Sequence, residues 1–197
     1  MERRFAVIGH RAQSTGKINL NDLAGSTGRI DVLARAVNTG LFLSHGIRND
    51  THVTLHLLGG PGPSRRIWFE GPKLRGVHPD ERAIAGQIGK ALKEPVPAIG
   101  QFIELHSGFW HTGGGLEQTI SEWKRGNVRI FVLDAGGIPF DSEKHTSDSI
   151  GFILSDDQPF DNSDLQLMEG LERISLGEMW LQGHACISIL HHHLDAH

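Results

Sequence analysis

Cysteine, tyrosine and long apolar runs are scarce in this chain of 197 residues, which has one cysteine and no tyrosine. A single cysteine excludes an intramolecular disulfide and is typical of the reducing cytoplasm, where we expect the protein to work. The longest apolar runs fall far short of the roughly 20 residues of a membrane-spanning helix. The apolar start of the chain is interrupted at His10 and Arg11, too early for a secretory signal. We therefore expect one domain over residues 1–197, without membrane association.

Sequence motifs of several enzyme classes are also missing. The nucleophile elbow Gly-x-Ser-x-Gly does not occur. Gly59–Pro63 follows an apolar run as a phosphate loop would, but its prolines lack amide donors and no Walker lysine follows, which favours a tight turn. Cys186 lies between Ala185 and Ile187, a context that indicates a small buried side chain rather than a nucleophile.

The charge distribution divides the chain into two parts. Residues 1–131 hold 17 Lys or Arg against 11 Asp or Glu, whereas residues 132–197 hold two against twelve. The basic part is suited to meet a polyanion, and the acidic part need not. Charge also varies along ordinary chains, so the charges alone leave both interpretations open.

Strand-like and helix-like patterns alternate along the chain. Residues 51–58 alternate apolar and polar side chains as strands do, whereas the apolar residues of 29–43 recur at helical spacing behind the candidate caps Ser26 and Thr27. Residues 108–115 are predicted to form a loop, and 185–190 a strand or a continuing helix. A helix over 161–171 would be capped by Asn162 or Ser163. Together these patterns predict an α/β fold with a largely parallel sheet.

Three apolar runs near the C-terminus each end in glycine, serine or aspartate. They are Phe131–Gly137, Phe152–Asp156 and Ile174–Gly177, the last followed by Cys186–Leu190. Apolar runs that stop in this way indicate buried strands that lead into loops. Because open α/β sheets bind ligands at the carboxyl ends of their strands, we predict a binding crevice here. The spacing matches no common phosphate-loop fingerprint.

A polar segment before the first predicted helix has the character of an anion site. Gly25–Asp31 supplies small residues that expose backbone amides near a helix N-terminus. The same region carries an arginine and two carboxylates, Arg29, Asp22 and Asp31. An ordinary helix cap with a surface ion pair would look similar. We favour the functional interpretation because Ser44–Asp50, just after this helix, again combines a loop glycine, a carboxylate and an arginine, Arg48.

Thirteen histidines raise the question of a metal site. The densest group is His191–His193 with Asp195 and His197, but successive residues of a regular element cannot all face one ion. We therefore predict no metal. Asp156 and Asp157 follow a predicted strand and are either acid–base groups or ordinary loop acids.

Several of these segments together resemble the TrmY family, the tRNA pseudouridine-54 N1-methyltransferases of the SPOUT superfamily. The resemblance covers residues 4–195, and its motifs occur in the family's order: Asp22–Leu33, Leu43–Asp50, Pro79–Arg82, Phe152–Asp156, Ser175–Gly177 and Cys186–Ile187. Ser155 stands where glycine is common, and Leu181–Ala185 differs from the archaeal pattern. These departures suggest a bacterial member of the family.

The resemblance implies an α/β SPOUT fold, with helices on both faces of a mostly parallel sheet and a deep trefoil knot within residues 128–195. It also implies a homodimer and S-adenosylmethionine as cofactor, bound where the three late turns meet. Backbone groups there would hydrogen-bond adenine, and apolar side chains would pack against it. The positions expected around the cofactor are Leu133, Leu154, Ser155, Ser175, Leu176, Gly177, Cys186 and Ile187.

The substrate implied by the resemblance is RNA, in particular a tRNA whose pseudouridine receives a methyl group on N1. That nitrogen keeps a proton, so its attack on the sulfonium methyl needs orientation and proton removal. For proton removal we expect one of the carboxylates Asp22, Asp31 and Asp156. Arg29 and Arg48 would hold phosphate or uracil oxygens. Two alternatives stay open: an RNA-binding protein of the same fold that transfers no methyl group, and a methyltransferase of another RNA.

Overall fold

The computed structural model describes residues 1–144 and 147–196, which contain ten strands and five α-helices. The strands are β1 Glu2–Gln13, β2 Phe42–Leu43, β3 Gly46–Ile47, β4 Thr51–Gly59, β5 Arg65–Glu70, β6 Ile103–His106, β7 Phe109–Gly113, β8 Arg129–Pro139, β9 Ser149–Ser155 and β10 Glu172–Ser175. The helices are α1 Ile30–Leu41, α2 Glu81–Lys93, α3 Leu116–Arg125, α4 Asn162–Leu167 and α5 Gly183–Asp195. None of the described helices has the length and apolar character needed to cross a membrane.

One eight-stranded sheet organises the molecule, in the order β10-β8-β9-β1-β4-β5-β7-β6. The five strands from β10 to β4 are parallel, and β5, β7 and β6 continue the sheet antiparallel. β1 and β9 are central strands covered on both faces, which explains the continuous buried apolar run Phe5–Ile8. The predicted α/β fold with a mostly parallel sheet is confirmed.

Helices pack on both faces of this sheet. Successive residues of β1 point to opposite faces. Phe5 and Val7 join a core cluster that contains side chains of α1, α2 and α5. Ala6 and Ile8 join a second cluster with side chains of α3 and of the C-terminal end of α4. The sheet is therefore the middle layer between two groups of helices.

Two local predictions were wrong, and one open alternative is decided. Residues 108–115, predicted as a loop, contain β7, because Phe109–Gly113 pairs with β5 on one side and β6 on the other. The helix expected over 161–171 ends at Leu167, and its cap is Asp161 rather than Asn162 or Ser163. Residues 185–190 lie in a helix, α5. Strand pairing and cap geometry decide these points, and neither is visible in local periodicity.

Candidate functional site

A pocket opens where the parallel strands β8, β9 and β10 reach their carboxyl ends. Its volume is about 570 Å³, which lies within the range of small-molecule and cofactor sites. The segment between β10 and α5 completes its wall, together with the start of α1. The strand ends contribute alternating apolar and polar groups to the lining, namely Leu133, Asp134, Leu154, Ser155, Ile174 and Leu176.

The end of β8 forms part of the wall because the strand bulges there. Residues 133–137 lie outside the ladder that β8 makes with β10. Asp134 closes this bulge, because its carboxylate accepts the Gly136 N–H at 2.9 Å and a charged hydrogen bond from Arg173 at 2.5 Å. The hydrogen bond from Gly136, and to a smaller extent the one from Arg173, holds the pKa of Asp134 below its ordinary value. The bulge thus presents backbone groups and an ion pair to the pocket.

The loop after β9 is anchored by a buried carboxylate. The side chain of Asp156 is 1% exposed. Its Oδ2 accepts the backbone N–H of His10 at 2.9 Å, and its Oδ1 accepts the N–H of Gln158 at 2.9 Å. Ring nitrogen Nδ1 of His10 donates to Oδ1 at 3.0 Å, and Nε2 donates to Asp164 at 2.7 Å. His10 therefore ties this loop to the first turn of α4.

The charge state of His10 follows from these contacts. The hydrogen bonds to Asp156 and to Asp164, in that order, raise the pKa of His10 to about 10. The ring is therefore charged at neutral pH and donates from both nitrogens. His10, Asp161 and Asp164 place three potential metal ligands within 4.8 Å of one another. Both ring nitrogens of His10 are already bonded to carboxylates, so these residues form an internal ion pair in this structure.

Arg29 places a cation in the wall at the start of α1. Its φ is 70°, a left-handed conformation that is uncommon for residues other than glycine and recurs at functional sites. Its guanidinium forms a two-pronged pair with Asp31 at 2.9 and 3.0 Å and reaches Asp157 at 3.0 Å. Burial would raise the pKa of Asp31, but the hydrogen bonds and charges of Arg29 and Arg35 outweigh burial and lower it.

The segment after β10 forms the most exposed wall of the pocket. The Ser175 hydroxyl accepts the N–H of Gly177 at 3.1 Å, and Gly177 has a φ of 122° that side chains rarely allow. Met179 and Trp180 follow, with 78% and 83% of their surface exposed. Cys186 enters the wall from α5, and burial raises the pKa of its thiol. A thiol in this state suits packing rather than nucleophilic attack.

Most of the sequence-predicted site residues come together at this pocket. In the sequence, these residues lie in three separate runs and in the segment before α1. The structure shows why they converge: parallel strands bring their carboxyl ends to one edge of the sheet. The predicted residues that line the pocket are Arg29, Leu133, Leu154, Ser155, Asp156, Leu176, Gly177 and Cys186.

Five predicted residues do not line the pocket. Ser175 faces the turn that it stabilises, and Ile187 is fully buried in the core. Asp31 lies behind the arginine that it holds. Asp22 is exposed in the loop before α1, where it accepts a backbone N–H at 2.9 Å. Arg48 is paired with the C-terminal end of α5 at 2.6 Å, because the turn after α1 packs beside that end.

Sequence reasoning missed other residues of the wall. Asp134 and Arg173 are 39 positions apart and meet because β8 and β10 pair. Arg173 is one of only two Lys or Arg residues after residue 131. A basic residue that is rare in an acidic segment could have marked Arg173 as a candidate site residue. Trp180 gave no periodic signal because it lies in an irregular segment. Asp157 also lines the pocket, whereas the sequence indicates only that it forms a pair of acids with Asp156.

His191, the first of the C-terminal histidines, packs in the core. His191 is buried; its Nε2 donates to a carbonyl of α1 at 3.0 Å, and its Nδ1 accepts from Arg3 at 3.1 Å. Burial and the charge of Arg48 lower the pKa of His191 to about 4, so the ring is neutral. Arg3 and Arg48 both bind Asp195. His197, the last member of the candidate cluster, lies outside the described residues.

The fold places the chain in a class, α/β proteins with a pocket at the carboxyl ends of parallel strands. The solved structure of Archaeoglobus fulgidus Nep1 bound to S-adenosylhomocysteine shares this fold, with a TM-score of 0.66 over 100% of both chains and 13% identity. This similarity supports the SPOUT fold expected from the sequence.

Sequence comparisons identify the family. A family model described as "Putative SAM-dependent RNA methyltransferase" matches residues 2–197. Relatives named tRNA (pseudouridine(54)-N(1))-methyltransferase from Methanosarcina mazei and Haloarcula marismortui are 38% and 39% identical. The matches span 98% of this chain and 90% and 96% of those relatives. The chain belongs to this family of S-adenosylmethionine-dependent RNA methyltransferases. Both relatives are archaeal, so the expected bacterial membership is not supported.

Proposed function

We propose that this protein transfers a methyl group from S-adenosylmethionine to N1 of pseudouridine 54 in tRNA. The observation that carries this proposal is the 38% identity to the Methanosarcina mazei enzyme over 98% of the chain. Two features of the chain agree with it. The pocket has the size and mixed lining of a cofactor site, and residues 1–131 carry the basic excess that an RNA substrate needs.

The donor set of the pocket fits S-adenosylmethionine. Apolar side chains of Leu133, Leu154 and Leu176 offer surface to an adenine ring, and the backbone of the β8 bulge and of the Gly177 turn offers hydrogen-bonding groups to its edge. Charged groups suit the amino-acid end of the cofactor. We assign cofactor contacts to Leu133, Leu154, Ser155, Leu176, Gly177 and Cys186, with Ser175 and Ile187 supporting the wall from behind.

When bound, the cofactor would supply from its sulfonium the electrophilic methyl group that N1 receives. Arg29 is held by Asp31 at the pocket wall and is placed to bind a uracil or phosphate oxygen. Asp156 has both oxygens engaged, so its part is to position the loop. Arg29 and Arg11 both contact Oδ2 of Asp157, which leaves Oδ1 without a donor among the described residues. We therefore assign receipt of the N1 proton to Asp157.

Other predicted features are proposals about assembly. A homodimer is supported by the exposed apolar residues Met179, Trp180 and Leu181 beside the pocket, because an interface would remove them from water. A knot within residues 128–195 agrees with the path of the chain. Strand β10 lies at the edge of the sheet beyond β8, and the chain then returns so that α5 packs in the same core cluster as α1.

Asp22 and Arg48 would reach the substrate outside this pocket. We place the single domain in the cytoplasm.

Methyl transfer to a defined tRNA tests the function. Purified protein with labelled S-adenosylmethionine should methylate a tRNA transcript that carries pseudouridine at position 54, and mass spectrometry should find N1-methylpseudouridine. The same transcript with uridine at that position is the matched control and should stay unmodified. Binding of tRNA without cofactor binding in calorimetry would favour the RNA-binding alternative, and transfer only to another RNA would favour the second alternative.

A further inference from the structure

A second cavity, of about 220 Å³, lies on the sheet face that carries α3. Among the described residues, none lines both this cavity and the first pocket. It forms where the antiparallel strand β5 extends past the cover that α3 provides, so part of the sheet face stays open. Its walls include Arg4, Thr54, Trp68, Phe102, Thr119 and Glu122.

Aromatic rings dominate this open face. Trp68 stacks on Trp110 across β5 and β7 with ring centroids 5.8 Å apart and an interplanar angle of 25°. Phe102 stands edge-on to Trp68 at 6.1 Å and is 39% exposed. The indole N–H of Trp68 donates to His52 at 3.3 Å, and that of Trp110 donates to Glu70 at 3.0 Å. The polar edges of both indoles are thus satisfied internally. The Trp68 ring lies between those of Trp110 and His52, 5.8 and 5.7 Å away, so the free ring surface of the cavity is that of Phe102.

Polar groups of the cavity divide into fixed and available ones. Arg66 is fixed by a two-pronged pair with Glu122 at 2.7 and 3.0 Å, and its guanidinium lies 5.5 Å from the Phe102 ring centroid. The Nε–H of Arg4 donates a hydrogen bond to the carboxylate of Glu2. The terminal nitrogens of Arg4 and the Thr54 hydroxyl have no hydrogen-bond partner in the described part of the chain. The exposed Phe102 ring therefore lies beside N–H groups of Arg4, whose guanidinium is also paired with Glu2, and beside the Thr54 hydroxyl.

The charge of the surrounding chain favours a nucleic acid as occupant. The described residues that line this cavity all fall within residues 1–131, which carry the basic excess, whereas the first pocket is lined mostly by the acidic part. Exposed aromatics on a sheet face, next to basic and hydroxyl groups, are how single-stranded RNA is held: bases stack on the rings and cations meet phosphates.

We propose that this cavity binds an unpaired nucleobase of the RNA substrate, stacked on Phe102 with its edge towards Trp68, at a place separate from methyl transfer. The inference rests on the proposed function for the identity of the RNA. Arg4 would meet the phosphate of that nucleotide, and Thr54 would meet an edge of the base. The site would add affinity for the tRNA and take no part in the chemical step.

Phe102→Ala tests the proposal, with Ile103→Ala as matched control because Ile103 is equally exposed at 38% and does not line the cavity. The probe is the pseudouridine-54 tRNA transcript, and the assays are its dissociation constant, KM and kcat. Phe102→Ala should weaken binding and raise KM about tenfold with kcat unchanged, as loss of one stacked base predicts. Phe102→Trp should restore both, and Ile103→Ala should match the wild type.

Three results would overturn the proposal. One is equal tRNA affinity of Phe102→Ala and Ile103→Ala. Another is absence of tRNA binding by the wild type. The third is a change of oligomeric state in Phe102→Ala by light scattering, which would assign this face to contact with a second copy. Failure of the proposed function is distinguishable from these, because it removes methyl transfer by the wild type whatever Phe102 contributes to binding.

Discussion

Replacing His10 with glutamine should destabilise the fold, and by an amount that depends on pH. The imidazolium lies between Asp156 and Asp164, whose side chains are 1% and 4% exposed. Glutamine removes the positive charge and leaves two buried carboxylates facing each other. Removing one partner of a buried ion pair costs roughly 3–5 kcal/mol. Because Asp156 anchors the loop that forms one wall of the pocket, cofactor affinity should fall as well.

The pH dependence has a definite sign. The pKa of His10 is about 10 in the folded protein against an ordinary value of 6.5. A raised pKa means that the stabilisation is complete below pH 6.5, declines as the pH rises, and is lost above about 10. The decline is about 1.4 kcal/mol per pH unit within this window. The difference in unfolding free energy between wild type and variant should therefore be largest in mild acid and shrink in alkali.

Urea unfolding, followed by tryptophan fluorescence at about pH 6, 8 and 9.5, measures this difference. His45→Gln is the control, because His45 is exposed in the turn between β2 and β3. It should change stability little at every pH. A His10→Gln penalty that stays constant across the series, or that is as small as the control's, would refute the argument that a charged imidazole bridges the two carboxylates.

Three further changes probe the pocket and the C-terminal helix. Arg173→Ala should weaken S-adenosylmethionine binding about tenfold in calorimetry, because it removes the charged bond that shapes the bulge at Asp134; Arg125→Ala, exposed on α3, should not. Cys186→Ala should retain methyl transfer, since the raised thiol pKa opposes a nucleophilic role; inactivity with intact cofactor binding would contradict this. Asp195→Asn should lower the free energy of unfolding by about 1 kcal/mol at neutral pH. In urea unfolding, this difference from the wild type should disappear as the pH falls towards about 2, the pKa of Asp195 in the folded protein.

The strand ends of the pocket were predictable because their signal is local. Leu133, Leu154 and Leu176 each lie at the end of an apolar run, and an apolar run that stops at small polar residues indicates a buried strand entering a loop. Strand β7 was missed because glycines on both sides of Phe109–Gly113 have the local character of a loop. Its pairing with β5 and β6 supplied the missing information.

Other parts of the site depend on contacts between distant residues. His10 and Asp156 are 146 positions apart, and the Asp134–Arg173 pair spans 39. No window of sequence contains both partners. The motif that contains Arg48 predicts a contact with the substrate and does not show that the packing of α5 also places Asp195 against Arg48. An isolated motif indicates which residue types are present and leaves open which partner each will meet.

The sequence by itself determined most of the strand and helix pattern, the split between basic and acidic parts, and the three turns that line the pocket. Each of these depends on neighbouring residues or on simple sums of charge. The tertiary structure decided which charges pair, which predicted residues face the pocket, and that an aromatic face stays open beside α3. Those outcomes depend on strand order and helix packing, which bring together side chains that the chain itself keeps far apart.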